Sequence, residues 1–499
     1  MLGGDSNWIR SDDGVAWGRL ERDMQETIYW YDYETTGIDP QRDRPVQFGG
    51  IRTDPELNIV AEPTSFFCRL SDDILPEPEA MLVTGITPAT LQQQGVIEAE
   101  FIERVHREFA KPGTCVAGYN SIRFDDEFTR QTLYRNFFDP YAREWQAGNS
   151  RWDVIDLFRM AYALRPDGLA WPTDEHGVVS FRLEELTRVN GIEHSAAHDA
   201  LADVRATIEL TARLRDRQPR LYDFLFQLRS KQRVLEQMYP LGKSAVVHVS
   251  SMYAASQGCL AVVLPICSHP GNSNGIVVYD LAQDPEPLLT LPAEEITRLV
   301  FASREELTAG ESRIPLKTVH INRCPAVAPL TTLTDANCER LGIDKARCTD
   351  HMVRIQHAAG IVDKIQDALG RSDYPQETDP DLMLYQGEFF SNSDKQSMAT
   401  VRQASPQQLT ALSPPFEDSR LPEMLFRYRA RNYPHTLTAD EKRRWNVYRA
   451  DLWERNSPLA EYAVEIDRLK GIHRNDADKH RLLCELADYC ERLQIQQKD

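Results

Sequence analysis

A chain of 499 residues has room for about three domains of ordinary size, and 41% hydrophobic with 27% charged residues is the composition of a globular protein. No apolar run reaches the ~18 residues of a membrane span, and the polar, mixed-charge N-terminus lacks the basic start and apolar core of a signal peptide. A net charge of −19 excludes a surface coated in phosphate-binding cations, so any nucleic-acid site must be a local basic groove. The nine cysteines, scattered from Cys68 to Cys490 without a CxxC pair, fit neither a disulfide framework nor a zinc cluster. They read as reduced thiols of a cytoplasmic protein.

In chain order, Ile28-Tyr29-Trp30-Tyr31 is a buried-strand pattern ending in charge and then Gly37. Val46 to Arg52, Ser65 to Arg69 and Thr114 to Gly118 read as further strands. Asp125 to Phe137 and Ala200 to Leu214 read as helices. This alternation predicts an α/β layer fold. Pro219 suggests a boundary. Ala245 to Ser250, Leu260 to Leu264, Gly275 to Tyr279 and Lys317 to Ile321 are β-branched runs between turn residues, predicting a small β-rich domain. Helical patterns dominate from about residue 330, and clearly after 420. Gln376 to Ser419, rich in Pro, Ser and Asp, reads as containing loops.

Three acidic motifs carry chemistry. Asp32 and Glu34 end the first strand and point to one face, where two carboxylates repel unless cations lie between them. Gly118-Tyr119-Asn120 suits a tight turn, after which Asp125 opens a helix; capping is its ordinary job there. In His198-Asp199-Ala200-Leu201-Ala202-Asp203, Asp199 is a good N-cap. That leaves His198 on the preceding loop and Asp203 one turn inside the helix. Together Asp32, Glu34, Asp125 and Asp203 can hold two Mg²⁺ ions about 4 Å apart, with His198 taking a proton from the attacking water. Two basic runs are open to two readings each. Arg213 to Glu236 fits a phosphate-tracking surface or a solvated helix pair. Arg427-Tyr428-Arg429-Ala430-Arg431 with Tyr433 fits a single-strand groove or a helix with an aromatic packing stripe.

The order D-x-E, N-x-x-x-F-D, H-D-A-x-x-D resembles the DEDDh 3′→5′ exonuclease superfamily. Asp32-Tyr33-Glu34-Thr35, Arg44-Pro45, Gln47-Phe48, Thr84 to Pro88, Arg123 to Glu127, Ser150 to Asp153, Gly191 to His194 and Arg429 to Asn432 resemble bacterial exonuclease I more closely. The resemblance implies a ribonuclease H-like exonuclease domain with a mixed sheet (28–215), an SH3-like domain (216–370) and a C-terminal helical domain (371–499). These would form a C-shaped clamp around single-stranded DNA, after an N-terminal extension (1–27). It implies processive release of 5′-mononucleotides in DNA repair and recombination, Mg²⁺ as cofactor with Mn²⁺ able to substitute, and a monomer. Arg182 matches a substrate contact near the active site. Arg130, Tyr141, Trp145, Arg159, Lys231, Asn274, Lys317, Asn322 and Tyr385 match the family's DNA path. Arg165 matches one arginine of a pocket for the acidic tail of single-stranded-DNA-binding protein. Two other pocket arginine positions carry Thr334 and Gln356 here, which weakens that contact or shifts it to Arg340, Arg347 or Arg354. Two other readings compete: a trimmer of RNA 3′ ends, and a binding module that only holds single strands.

Overall fold

The computed structural model describes residues 26–194, 198–370, 376–456 and 458–498. Most of the N-terminal extension, residues 1–25, lies outside them. Strand β1 (Thr27–Thr35) is the centre of a five-stranded mixed sheet with β2 (Pro45–Thr53), β3 (Thr64–Phe67), β4 (Thr114–Gly118) and β5 (Ser150–Asp153). The order is β3-β2-β1-β4-β5. β1 pairs antiparallel with β2 and parallel with β4, and β5 is parallel to β4. The parallel pairs require crossovers, which the helices Glu98–Phe109 and Asp125–Arg135 supply.

Alternation along β1 separates two chemistries. Tyr29, Tyr31 and Tyr33 pack with Phe48, Phe101, Val105 and Phe128 on one face. Ile28 and Trp30 face Trp152, Val204 and Ile208 on the other. Asp32 and Glu34 continue that second face towards the helix Ala200–Arg217.

The second sheet is antiparallel throughout, in the order β10-β6-β7-β8-β9. Its strands are β6 (Val246–Val249), β7 (Leu260–Ser268), β8 (Gly275–Asp280), β9 (Leu316–His320) and β10 (Val327–Pro329). The β-branched runs of the sequence are β6 to β9. The helices Leu459–Ile472 and Ala477–Lys498 return to pack Tyr462, Ile466, Leu483 and Leu486 against Val46, Met81 and Leu91. Within Gln376 to Ser419, read as containing loops, a 12-residue helix Asn392–Gln403 forms, capped by Ser391.

The Arg427–Arg431 run is not a strand-binding groove. Arg431 donates to Asp73 at 2.8 Å and to Asp381 at 2.6 Å, Arg427 to Asp381 at 3.0 Å, and Arg429 to Glu441 at 2.7 Å. All three arginines are buried. The buried Asp73 and Asp381 claim Arg427 and Arg431, and Glu441 claims Arg429, because an unpaired buried charge is too costly to keep.

Candidate active site

Asp32, Glu34 and Asp203 each offer a carboxylate oxygen within 4.8 Å of the others. Gly49 makes this possible. It sits beside Asp32 on β2, and a Cβ there would come within 2.4 Å of the Ala200 carbonyl carbon. With no side chain to intervene, the start of the Ala200–Arg217 helix lies directly on the sheet. Gln47 fixes the approach, donating to Asp199 Oδ2 at 2.9 Å. Asp199 caps the helix as expected, accepting from Ala202 N–H at 3.1 Å.

Asp125 comes from the other side. Asn120 takes a left-handed φ of 61°. Its N–H and that of Ile122 donate to Asp153 at 2.8 and 3.1 Å. Asp125 does not cap its helix: Phe124 holds the cap position. Instead its Oδ1 accepts from Tyr33 N–H at 3.2 Å, between Asp32 and Glu34. It stands beside the cluster of three, not among the atoms that converge most closely.

The acids strain one another. Burial first, then Asp125, Asp203 and Glu34, holds the Asp32 carboxyl well above its ordinary value. Burial and then Asp203 push Glu34 up to about 8. Burial raises Asp203, and raises Asp125 further. Hard oxygen donors that resist ionising together are the donor set a divalent cation relieves.

The structure separates two histidines. His198 lies on the loop before the helix with a left-handed φ of 67°, half-exposed, its Nε2 3.8 Å from Glu184 Oε1. It makes no hydrogen bond to the four acids. His194 does: its Nε2 is 2.5 Å from Asp203 Oδ1, and its Nδ1 is 3.2 Å from Thr187 Oγ1. Thr187 gives its own proton to the Leu183 carbonyl at 2.8 Å. Nδ1 of His194 therefore donates, and a proton must lie between Nε2 and Asp203. In the sequence His194 stood only within a motif; a second histidine nine positions before Asp203 was the available signal.

The expected strand contacts fall in several places. Arg182 is exposed at the start of the helix Leu183–Val189, beside the buried Arg159, which donates to Asp156 at 2.6 Å. Arg130 is not free: Glu144 takes it in two bonds of 2.7 and 2.9 Å, and Tyr385 and the Tyr141 ring lie against it. Trp145 is 67% exposed. Lys231 donates to Asn274 at 2.7 Å. Lys317 lies over the Tyr253 ring at 4.5 Å and lines a cleft of about 950 Å³ with Arg123, Arg313 and Arg323. Asn322, beside that cleft, accepts from Arg151 on its backbone carbonyl at 2.9 Å. Phe389, 85% exposed with its ring 5.9 Å from Tyr141, was not anticipated. Its signal was an aromatic in an otherwise polar segment. Arg165 donates to the carbonyls of Leu164 at 2.6 Å and Thr332 at 3.3 Å. Thr334 caps a helix, Gln356 donates to Gly242 and Lys243 carbonyls, and Arg354 is paired with Asp284 and Glu286. Arg340 reaches the same helix end as Arg165, donating to the Tyr162 and Ala163 carbonyls at 2.7 Å.

Three family models cover these regions: Exonuclease over 29–211, Exonuclease I SH3-like domain over 229–371, and Exonuclease I C-terminal domain over 378–493. Exodeoxyribonuclease I of Escherichia coli is 42% identical over 471 residues, 94% of this chain and 98% of that one. The chain belongs to the exonuclease I family. Solved structures of the E. coli exonuclease I are 42% identical over 94% of this chain. One holds a dA16 oligonucleotide, with a TM-score of 0.91 over 100% of that chain. One holds a zinc ion and single-stranded DNA, at 0.89 and 99%. A solved structure of SSB/Exonuclease I with an inhibitor is likewise 42% identical over 94% of this chain, with a TM-score of 0.86 over 100% of that chain. The ribonuclease H-like domain, SH3-like domain and C-terminal domain of the exonuclease I fold are therefore all present. Among the described residues, no helix is long and apolar enough to cross a membrane.

Proposed function

We propose that this chain is a processive 3′→5′ exonuclease that degrades single-stranded DNA to 5′-mononucleotides, in DNA repair and recombination. The observation that carries the reading is the convergence of Asp32, Glu34 and Asp203, with Asp125 beside them, in a member of the exonuclease I family. These residues would hold two Mg²⁺ ions, Mn²⁺ being an alternative with the same hard-oxygen preference. When bound, the ions supply an activated water and stabilise the departing 3′ oxygen.

The protein's own groups do the rest. Gly49 and Gln47 seat the helix that carries Asp203 against β1. His198, just before the helix, would be the base that receives the proton of the attacking water. Arg182 and Arg159 line one pocket and would take the terminal phosphates. The cleft of Lys317, Arg123 and Arg323 offers cations to the backbone, and Trp145, Tyr141 and Tyr385 offer rings to the bases. The clamp would consist of regions 28–215, 216–370 and 371–499 acting as one monomer. The acidic tail of single-stranded-DNA-binding protein would dock at Arg165 and Arg340, which share one helix end.

End-labelled single strands incubated with Mg²⁺ or with EDTA test the reading. Shortening from the 3′ end with Mg²⁺ alone supports it; bound, uncut strand in both would make the protein a binding module. An oligo-dT cut no faster than an oligo-U would return the substrate to RNA. Equal weak binding of a tail peptide to the wild type and to Arg165→Ala would remove the partner.

A further inference from the structure

The first turn of the Asp125–Arg135 helix carries three successive carboxylates, and each faces a different part of the molecule. Asp125 turns to β1, at Tyr33 N–H. Asp126 is buried; it accepts from the Tyr31 hydroxyl at 2.9 Å, Arg143 at 2.6 Å and Arg151 at 2.7 Å. Arg151 also donates to the Asn322 carbonyl of the SH3-like domain. Glu127 reaches outward. Its Oε1 accepts from Arg130 at 3.1 Å and lies 3.4 Å from Nη2 of Arg323, which lines the cleft on the SH3-like side. Its Oε2 accepts from the hydroxyl of Tyr385, in the C-terminal domain. One carboxylate, two residues from the metal-site Asp125, thus touches both outer domains.

Glu144 holds Arg130 in two bonds but also pairs with Arg151 at 3.1 Å, so Glu127 helps to balance the charge of Arg130 as well. What Glu127 adds beyond that is the link between Arg323 and Tyr385. We propose that Glu127 is a positioning residue for strand digestion: it ties the SH3-like and C-terminal domains to the helix that carries Asp125, keeping the strand path in register with the carboxylate cluster. The proposal rests on the exonuclease reading above. The link acts at each step after the first cut, when the shortened strand must advance without leaving. A single cut of a short strand, which spans little of the path, does not call on it.

The test uses the full chain. Glu127→Ala removes both arms; Glu127→Gln keeps an acceptor for Tyr385 and loses the charge facing Arg323. Two quantities are measured: the single-turnover rate on a short oligonucleotide, and the nucleotides removed per binding event from a long labelled strand with an unlabelled trap. Glu127→Ala should shorten each run about fivefold or more, the scale of one lost interdomain contact, with Glu127→Gln between it and the wild type. The short-strand rate should stay within about twofold. Tyr385→Phe keeps the ring and cuts one arm; it should shorten runs on its own and add little in the Glu127→Ala background. Unchanged runs in Glu127→Ala would overturn the proposal. So would an equal loss on short and long strands, which is the mark of general damage. Tighter strand binding with unchanged runs would make Glu127 a mere competitor of phosphate. A wild type that cuts neither strand would sink the exonuclease reading instead.

Discussion

Glu34 should make metal binding steeply dependent on pH. Its carboxyl is pushed up to about 8, by burial and then by Asp203 and Asp125. A cation needs it ionised. With a value of about 8, roughly one molecule in a hundred has it ionised at pH 6 and about half at pH 8. From this group alone, affinity for Mg²⁺ or Mn²⁺ should climb about 50-fold between those pH values, or about 2.3 kcal/mol. Asp32 and Asp203 are raised too, which steepens the rise. The metal-free protein should move the other way. A carboxyl raised on folding favours the folded state below its unfolded value and loses that advantage as pH rises towards 8. The metal-free protein should therefore melt lower at pH 8.5 than at pH 6, with added metal restoring the difference. Titration calorimetry at pH 6, 7 and 8, in two buffers of different ionisation enthalpy, reads both affinity and protons released. Equal affinity at pH 6 and 8 with no proton release would refute the reasoning.

Replacing Asp32 or His198 by Ala should abolish cutting while strand binding, read by fluorescence anisotropy in EDTA, stays close to wild type; full activity in either variant would break the assignment of roles. His194→Ala should weaken metal binding by about 10- to 100-fold, as loss of a carboxylate's orienting partner does, and His194→Asn should recover part of it. Phe389→Ala and Trp145→Ala should each weaken binding of a single strand by roughly 1–3 kcal/mol if a base stacks there; an unchanged dissociation constant removes that ring from the path.

The acids that converge were legible in the sequence because their signals are local. Strand alternation put Asp32 and Glu34 on one face, and Asp199 announced the start of the helix bearing Asp203. Where signals are not local, the reading missed. Strand β10, of three residues, is too short to show a period. The run from Arg427 to Arg431 looked equally like groove and core. Its acidic partners, Asp73 and Asp381, lie 358 and 50 positions from Arg431. No local pattern reports such a pairing. His194 was hidden for the same reason: its contact with Asp203 is tertiary and leaves no local pattern. Arg130, whose position matched a strand contact, is held by Glu144 and Glu127, a pairing that its own sequence neighbourhood shows only in part.

The distribution of charge resolves how a protein of net charge −19 can hold a polyanion. The core consumes many arginines: Arg143, Arg151, Arg427 and Arg431 are all paired with buried carboxylates. The cleft keeps cations that few carboxylates reach. Arg123 bonds to the hydroxyls of Ser250 and Ser251, Arg313 to the Val300 carbonyl, and Lys317 rests on a ring. Burial, and then the charge of Arg123, brings the Lys317 ammonium down to about 8. That value meets the one at Glu34 from the opposite side. On the proposed roles of Glu34 and Lys317, raising the pH frees Glu34 for metal and discharges Lys317, so digestion would call for one group ionised and the other protonated. Cutting rate against pH should therefore be bell-shaped with its maximum near 8. A bound phosphate draws the lysine back up and a bound cation draws the glutamate down, so saturating strand and metal should broaden the bell on both sides. Lys317→Arg, which cannot discharge in this range, should straighten the alkaline limb and leave the acid limb in place. An alkaline limb that survives that change would place the discharging group elsewhere in the cleft.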